Sequence, residues 1–525
     1  MRGKKEVFIA WLAIFLGILS TCHCILAQTN YGRYMATVQY DNARTGWNPY
    51  EVVLNTDNVN PETFGKKWSA LLDGQLFGAP LYVGGVVIDG EPYNVVYVAT
   101  ENNLIYALNA EDGQPLWSLP YFLGTPAPSA MLDFALITPV VGITGTPVID
   151  LETGTLYAVG LTYENGLLVH KMAAVDIATG QPRPGWPIMV TLPATEPLNP
   201  VTTVNHGALL LANGWVYVPF GSHGDRGVYH GWVVAVNPAD PTAPLLYYRT
   251  PGTDTHRGGG IWAYGGIAAD EYGYVYPATG NSFNAPGLDY SNAVLRLDPF
   301  LGFSESPADF FVPSNWVALN ARDLDLGTST PLLLPPQKGS LTPNMIFITG
   351  KQGAGHLLNR DNLGGVGTGD GTDGEGIFSA KVFGSAYGTA VYYEDPNVGP
   401  ILFLAGRGAQ PTCLTNNGVV ALALGLDGEG NSFYSPFWCT QSMGNLVATP
   451  VVTSAPGQTG ILWVVDGPTG VLYAFNAATG DMLYSSSVVP GDALGTTRKF
   501  QYFTAVDGKV FAGTSANRLV AYGLR

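Results

Sequence analysis

The sequence predicts an all-β fold, a propeller of eight four-stranded antiparallel blades, and three observations favour it. A strand–turn–strand unit at residues 95–117 recurs at residues 461–484. Gly and Pro contribute 67 and 38 of the 525 residues, whereas only 12% are charged, which suits a turn-rich β-protein. A repeated antiparallel unit cannot bury its own faces, so it must pack against copies of itself.

Eight such units follow one another along the chain, each with Val, Ile, Leu and Tyr runs bounded by Gly, Asn and Asp turns. They cover residues 78–117, 146–176, 208–236, 266–297, 331–358, 390–422, 450–484 and 503–522. The eighth unit is one strand short, and residues 67–72 are predicted to supply the outer strand and close the ring. Seven blades is the alternative, because the fifth and sixth units are irregular.

The N-terminus has the layout of a secretory signal, with a basic start, an apolar run at residues 7–20 and small residues before Ala27. We therefore delimit a signal peptide at 1–27, an N-terminal extension at 28–63 and one propeller domain at 64–525. An uncleaved membrane anchor is the alternative for the first segment. No later segment has the length and apolarity of a membrane span. We expect a secreted, extracellular or periplasmic monomer.

Charge and cysteine content narrow the partners and the compartment. The formal net charge of -16 repels phosphate backbones, so nucleic acid is not an expected partner. Beyond the predicted signal only Cys413 and Cys439 remain. An even pair in an oxidising compartment predicts a disulfide, with two buried free thiols as the alternative.

The clearest repeat residues are 106–110 with Gly113 and Trp117, and 473–477 with Gly480. This pattern resembles the repeat of pyrroloquinoline quinone (PQQ) propellers. That family includes quinoprotein alcohol dehydrogenases and also outer-membrane assembly scaffolds without a cofactor, so the resemblance implies architecture and leaves activity open. A wider resemblance, to secreted bacterial propellers, covers most of the chain. It is carried by residues 40–48, 220–225, 229–232, 257–262, 323–327, 359–365 and 515–523.

The resemblance also implies a candidate cofactor site. In the dehydrogenases PQQ stacks on a Trp and on a ring of two adjacent cysteines, Ca²⁺ bridges it to a Glu and an Asn, and an Asp acts as base. Residues 278–281 resemble the Thr-Gly-Asn turn of that family, which makes Asn281 the matching ligand and Asp323 or Asp325 the candidate catalytic carboxylate. The chain departs in having no adjacent cysteine pair and in having residues 282–284 in place of a Trp-rich motif. Alternatively, Asn281 is a turn residue that bonds its own backbone.

A basic and aromatic group could bind an anion or a ring at the mouth of the channel. Arg257 and Lys351 could clamp an anion, and Trp262 could stack on a sugar or an aromatic ring. The alternative is a set of structural contacts between blades.

Two further groups could hold metal ions. Four histidines and one carboxylate lie between residues 206 and 256 and would suit Zn²⁺, Cu²⁺ or Fe²⁺. They are His206, His223, Asp225, His230 and His256. Asp370, Asp373 and Glu375 lie in a glycine-rich loop and would suit Ca²⁺. Loop-ordering hydrogen bonds and a solvated insertion are the respective alternatives.

These observations favour a non-catalytic propeller that binds a small molecule, a glycan or a protein. A PQQ- and Ca²⁺-dependent dehydrogenase and a metal-dependent enzyme at the histidines are the alternatives, so enzymatic activity stays open.

Overall fold

The structure is a computed structural model and describes residues 34–133, 136–253, 255–409, 413, 417–499 and 501–525. The predicted signal peptide lies outside these residues. Small antiparallel sheets form a ring of eight blades, so the prediction of an eight-bladed propeller is confirmed.

In each blade the chain runs from the axis outward. The main strands of blades one to four are Leu81–Ile88, Glu91–Ala99, Leu104–Asn109 and Tyr121–Phe122; Val148–Asp150, Thr155–Glu164, Leu167–Asp176 and Ile188–Met189; Leu210–Ala212, Trp215–Ser222, Trp232–Val236 and Leu246–Arg249; and Ala268–Ala269, Val275–Tyr276, Val294–Leu295 and Phe310–Val312. Blade four has the shortest strands, and isolated bridges join its two halves.

Blades five to eight complete the ring. Their main strands are Leu332–Leu333, Met345–Thr349, Ala354–Asn359 and Phe378–Lys381; Val391–Asp395, Gly399–Ala409, Asn417–Leu426 and Ser432–Cys439; Val451–Thr453, Ile461–Asp466, Val471–Asn476 and Met482–Ser485; and Phe503–Val506, Lys509–Gly513, Arg518–Leu524 and Phe64–Leu71. The last of these runs antiparallel to Arg518–Leu524, so the predicted closure by an N-terminal strand is confirmed.

Short elements connect or extend the blades. The strands among them are Tyr34–Met35, Trp47–Asn48, Ala127–Pro128, Val140–Val141, Thr203–Val204, Arg257–Gly258, Ser282–Phe283, Gly365–Val366 and Phe383–Ala386. Over the described ranges, three single-turn 3₁₀ helices lie at Ser129–Met131, Pro307–Asp309 and Leu326–Thr328, and one α-helix, α1, lies at Trp316–Arg322. No helix within the described part of the chain has the length and apolarity to cross a membrane.

The repeated Trp and Gly residues hold neighbouring blades together. A Cβ at Gly180 in blade two would lie 2.7 Å from the Trp117 ring of blade one, and a Cβ at Gly480 in blade seven would lie 2.8 Å from the Trp438 ring of blade six. Both glycines have positive φ, 70° and 78°, which favours Gly. The repeat is therefore an interlock in which the Trp of one blade covers the turn of the next.

Residues 34–48, the axial segment, fill the centre of the ring. Tyr34–Met35 pairs with the innermost strand of blade one, and Trp47–Asn48 pairs in parallel with that of blade seven. Hydrogen bonds from the axial segment to the innermost strands of the other blades involve Ile149, Leu211, Ala269, Leu333, Tyr392 and Ala505. The segment therefore contacts all eight blades, so residues 34–48 of the predicted N-terminal extension are built into the axis.

Arg44 is the central residue of the axial segment and is fully buried. Its guanidinium donates to the carbonyls of Ile267 at 2.9 Å and Leu209 at 3.3 Å, and to Thr37 Oγ1 at 2.7 Å. Burial lowers the pKa of Arg44 to about 10, so the group stays charged at neutral pH.

The predicted disulfide is present between Cys413 and Cys439, with the Cα atoms 6.1 Å apart. This bond is compatible with an oxidising compartment. Secretion itself stays a prediction.

Candidate functional site

A cavity of about 470 Å³ opens at the axis, beside the points where the innermost strands begin. Segments that lead into those strands supply Trp262, Asp325 and Arg498, and residues at or just beyond the ends of the second strands supply Ser222 and Lys351. The axial segment bonds the same innermost strands a few residues further along. The cavity and the axial segment therefore occupy opposite ends of the propeller axis.

Asp325 is the buried acid of this cavity. Its carboxylate accepts the backbone N–H of Asn281 at 2.6 Å and pairs with Lys351 Nζ at 2.5 Å. The side-chain amide of Asn281 is directed at the same carboxylate. Burial, opposed by Lys351, raises the pKa of Asp325 to about 6. The structure therefore brings together Asn281 and Asp325, which the sequence analysis assigned to one site, and Lys351, which it assigned to a separate anion clamp.

Asp323 occupies a different position from Asp325. It ends α1 in the left-handed conformation, with φ 53°, and its side chain is 64% exposed while it contacts Lys351 at 2.6 Å. Burial alone would lower the pKa of Lys351, but the Asp325 and Asp323 carboxylates raise it to about 12. Of the two predicted carboxylates, Asp325 is the one that lines the cavity.

Trp262 forms one wall of the cavity, and glycines let it lie directly against the backbone. A Cβ would lie 2.9 Å from the Trp262 side chain at Gly221, 2.8 Å at Gly260 and 2.7 Å at Gly280. The Gly280 position would also place that Cβ 2.7 Å from Asp325 Oδ1. Because Gly280 has no side chain, the Trp262 indole and the Asp325 carboxylate can both pack against the Thr-Gly-Asn turn.

Asp225 lines the cavity together with Asp325 and Lys351, and of the four predicted histidines His206 also lines it. Burial raises the pKa of Asp225, and the charges of Asp323, Lys351 and Arg257 also act on it. Its carboxylate accepts the Tyr229 hydroxyl. Arg257 does not line the cavity, and its guanidinium lies 5.2 Å from the centre of the Phe283 ring. Of the predicted clamp, only Lys351 reaches the cavity.

The histidines divide into two places. His206 lines the cavity, and burial together with His223 lowers its pKa to about 3. His256 Nε2 lies 2.7 Å from Asp289, and the His230 ring lies beside Gly252 next to the His256 backbone. No group of three or more His, Cys, Asp or Glu residues with the arrangement of a metal site occurs in the described parts of the chain. A metal function at these residues remains a prediction.

The acidic loop at residues 370–375 is held by its own hydrogen bonds. Glu375 is fully buried and accepts from Ser314 Oγ at 2.5 Å and from the Gly371 N–H at 2.8 Å. Asp370 accepts the Thr372 N–H at 2.8 Å, and this and related bonds lower its pKa. Asp373 accepts the N–H of Gly374 at 2.9 Å. The Ca²⁺ function predicted for Asp370, Asp373 and Glu375 also remains a prediction.

Glu101 is a buried acid near the cavity that the sequence did not single out. One carboxylate oxygen accepts the Gly142 N–H at 2.6 Å. Burial raises its pKa to about 7, and its charge acts on Tyr264 and Arg498, which line the cavity. The only sequence signal was an acid within a repeat turn, which is common at exposed turns.

Comparison with known proteins agrees with this architecture. The family model of the outer membrane protein assembly factor BamB matches residues 58–132. A search of curated protein sequences finds no significant match to the chain. The chain is a β-propeller of the PQQ-like repeat type, as the sequence predicted.

Several solved structures share the fold. Quinohemoprotein alcohol dehydrogenase ADHIIG of Pseudomonas putida HK5 is 17% identical with a TM-score of 0.61, over 95% of this chain and 81% of that one. A europium-containing methanol dehydrogenase is 14% identical with a TM-score of 0.60, over 94% and 98%. BamB of Moraxella catarrhalis is 14% identical with a TM-score of 0.51, over 88% and 99%. At these identities the likeness establishes the fold alone.

Proposed function

We propose that the axial cavity binds a small aromatic acid and that the protein acts as a ligand-binding propeller. The observation that carries this proposal is that Trp262, Asp325 and Lys351 line one cavity, with Asn281 bonded to Asp325 behind them. An aromatic ring would stack on Trp262, and a polar substituent would meet the Asp325–Lys351 pair.

The opposite wall supplies the complement to a carboxylate. Arg498 and Lys499 come from the segment between blades seven and eight, diametrically across the ring from Trp262, which lies between blades three and four. Two cations at one wall of a chain with net charge -16 favour an anionic group there. The cavity thus offers an aromatic wall and a cationic wall to one molecule.

A second candidate, a PQQ-dependent dehydrogenase, is favoured by one specific observation. Asn281 donates to Asp325, and the Asp225 and Asp325 carboxylates act on each other, so two carboxylates of the kind that bind Ca²⁺ adjoin the aromatic wall beside Asn281. The polar half of a quinone site therefore fits, whereas the adjacent cysteine pair is absent from the sequence. PQQ, when bound, would supply the two-electron acceptor. Asp325 would accept the proton of a substrate hydroxyl, and Lys351 would hold the carboxylate in place.

Calorimetric titration with PQQ and with simpler aromatic acids, with and without Ca²⁺, tests both candidates. Saturable binding without Ca²⁺, and no alcohol-dependent dye reduction, would support the ligand-binding proposal. Ca²⁺-dependent PQQ binding with dye reduction would support the dehydrogenase. Failure of every compound to bind in both buffers would overturn both.

The matched variants Asp325→Asn and Asp323→Asn locate the binding. Both lose one carboxylate next to Lys351, but only Asp325 is buried in the cavity. We expect Asp325→Asn to change affinity by about tenfold and Asp323→Asn to change it by less than about threefold. Equal effects would place the ligand outside the cavity.

The pH dependence separates the two candidates. With a pKa of about 6, Asp325 becomes neutral as the pH falls below that value. Protonation of Asp325 removes the negative charge paired with Lys351. In the absence of Ca²⁺, the affinity for an aromatic acid should therefore rise as the pH falls through 6. Ca²⁺-dependent affinity should fall over the same range, because the metal requires the ionised carboxylate. The Asp325→Asn variant should lose either inflection.

A further inference from the structure

A groove leads outward from the axial cavity across blades five and six. Two further depressions, of about 530 Å³ and 290 Å³, share Leu324, Lys351 and Gly384 with each other. The larger one also shares Lys351 and Tyr387 with the axial cavity. We call the two depressions together the basic groove, because its charged lining residues other than Asp323 are all cations. These cations are Arg322, Lys351, Lys381 and Arg407.

Among the residues that the structure describes, three of the four cations have no carboxylate partner. Arg322 and Lys381 are exposed, and neither side chain makes a hydrogen bond or an ion pair with any residue that the structure describes. Arg407 donates to the Tyr387 hydroxyl at 2.6 Å and lies 5.1 Å from the centre of that ring. Elsewhere in the described chain, Arg183, Arg249, Arg296 and Arg360 are paired with acids, whereas the Arg518 side chain donates only to Ser69. The groove therefore brings together three cations that have no ion pair among the described residues.

The remaining lining is polar. Asn315, Gln352 and Asn417 provide amides, and Tyr387 provides a ring at the junction with the cavity. Amides offer both donors and acceptors, which suits hydroxyl groups. Interfaces with protein partners usually depend on buried aromatic and apolar residues. The groove offers few apolar side chains, among them Leu319 and Leu324, so its lining favours a polar ligand.

We propose that the basic groove binds an acidic oligosaccharide, a chain of sugars that carry carboxylates, with one end directed toward the axial cavity. Arg322, Lys381 and Arg407 would pair with successive carboxylates, and a sugar ring would pack on Tyr387. Trp262, Asn281 and Asp325 do not line the basic groove. It rests on the proposed function only through the shared Lys351 and Tyr387.

The test compares two triple variants that remove the same charge. The groove variant is Arg322→Gln/Lys381→Gln/Arg407→Gln, and the control is Lys66→Gln/Lys67→Gln/Lys338→Gln, at positions that do not line the groove. Affinity is measured by calorimetry for a hexamer of galacturonic acid, a neutral hexasaccharide and hexaglutamate. Thermal unfolding of each variant shows that the fold is retained.

We expect the galacturonate hexamer to bind wild type and control alike, and to bind the groove variant on the order of tenfold more weakly or worse. The neutral sugar should not bind. Absence of galacturonate binding to wild type, equal binding to both triple variants, or equally tight groove-dependent binding of hexaglutamate would overturn the proposal, the last by indicating an acidic peptide.

Titration of aromatic acids into the same proteins separates this proposal from the proposed function. Groove-dependent galacturonate binding without aromatic-acid binding would retain the groove and reject the axial ligand. Aromatic-acid binding that the groove variant preserves, without galacturonate binding, would do the reverse.

Discussion

The two ends of the propeller axis use the same innermost strands but differ in how their polar groups are satisfied. At one end the axial segment bonds to all eight blades, and the buried Arg44 donates to carbonyls and a hydroxyl. At the other end Asp325 and Glu101 are buried with raised pKa values beside a cavity. Burial also raises the pKa of Asp41 in the axial segment, but that carboxylate accepts the backbone N–H and the hydroxyl of Thr45. Buried acids with raised pKa values beside a cavity are candidates for function. The repeat therefore builds both ends, and the residues outside the repeat fill one end and line a cavity at the other.

The largest expected effect comes from substituting Arg44 at the end of the axis that the axial segment fills. Arg44→Met leaves the Leu209 and Ile267 carbonyls buried without their donor, so we expect a loss of about 3 to 5 kcal/mol in stability, measured as a lowered unfolding temperature. Arg518→Met is the control, because this exposed Arg also donates to a carbonyl, that of Ser69 at 3.3 Å. It should cost about 0.5 kcal/mol or less. Similar losses in the two variants would show that the axial segment contributes little.

The second effect comes from removing the buried charge of Glu101 at the end of the axis that holds the cavity. The folded pKa of Glu101 is about 7 against an ordinary 4.5, so its favourable contribution is complete below pH 4.5 and is lost as pH rises through 7. Glu101→Gln should therefore stabilise the protein by about 3 kcal/mol at pH 8 and by little at pH 4. Unfolding temperatures across this range measure it, with exposed Glu62→Gln as control. A pH-independent difference would contradict the assignment.

A smaller effect is expected from a substitution at Gly280, which tests the packing around the cavity. Gly280→Ala would push a methyl group against Asp325 and Trp262 and should cost about 1 to 3 kcal/mol. Ligand affinity should fall about tenfold, because both binding groups would be displaced. Gly287→Ala meets no atom within 4 Å and should change neither property. Unchanged affinity in Gly280→Ala would remove the Thr-Gly-Asn turn from the site.

Local patterns predicted most of the architecture. Strand periodicity and turn residues identified eight units, and the missing strand of the eighth required the N-terminal closure that Phe64–Leu71 provides. The repeat Gly and Trp residues pack against each other between neighbouring blades, as the contacts of Gly180 and Gly480 show. Because these features recur from blade to blade, the sequence contains several copies of each pattern that predicts them.

The site was predicted only where a local motif marked it. The Thr-Gly-Asn turn led to Asn281 and to the neighbouring carboxylates, but sequence could not decide between Asp323 and Asp325, because burial at an element end depends on packing. Sequence spacing grouped Asp225 with the histidines, whereas the ring places it near Lys351. The role of residues 40–48 was not predictable either, since their hydrogen-bond partners are spread over six blades.

The axial segment also sets the order in which the molecule can be completed. Tyr40 bonds to Ala505 across 465 positions of the chain, and its neighbours require the strands of every intervening blade. Tyr40 thus reaches its partner only after the eighth blade has formed, although Tyr34–Met35 already pairs with the first blade. Such non-local pairing slows folding, and the centre of the ring stays open to solvent until the eighth blade is in place. Closure of the ring therefore depends on the axial segment and the eighth blade together.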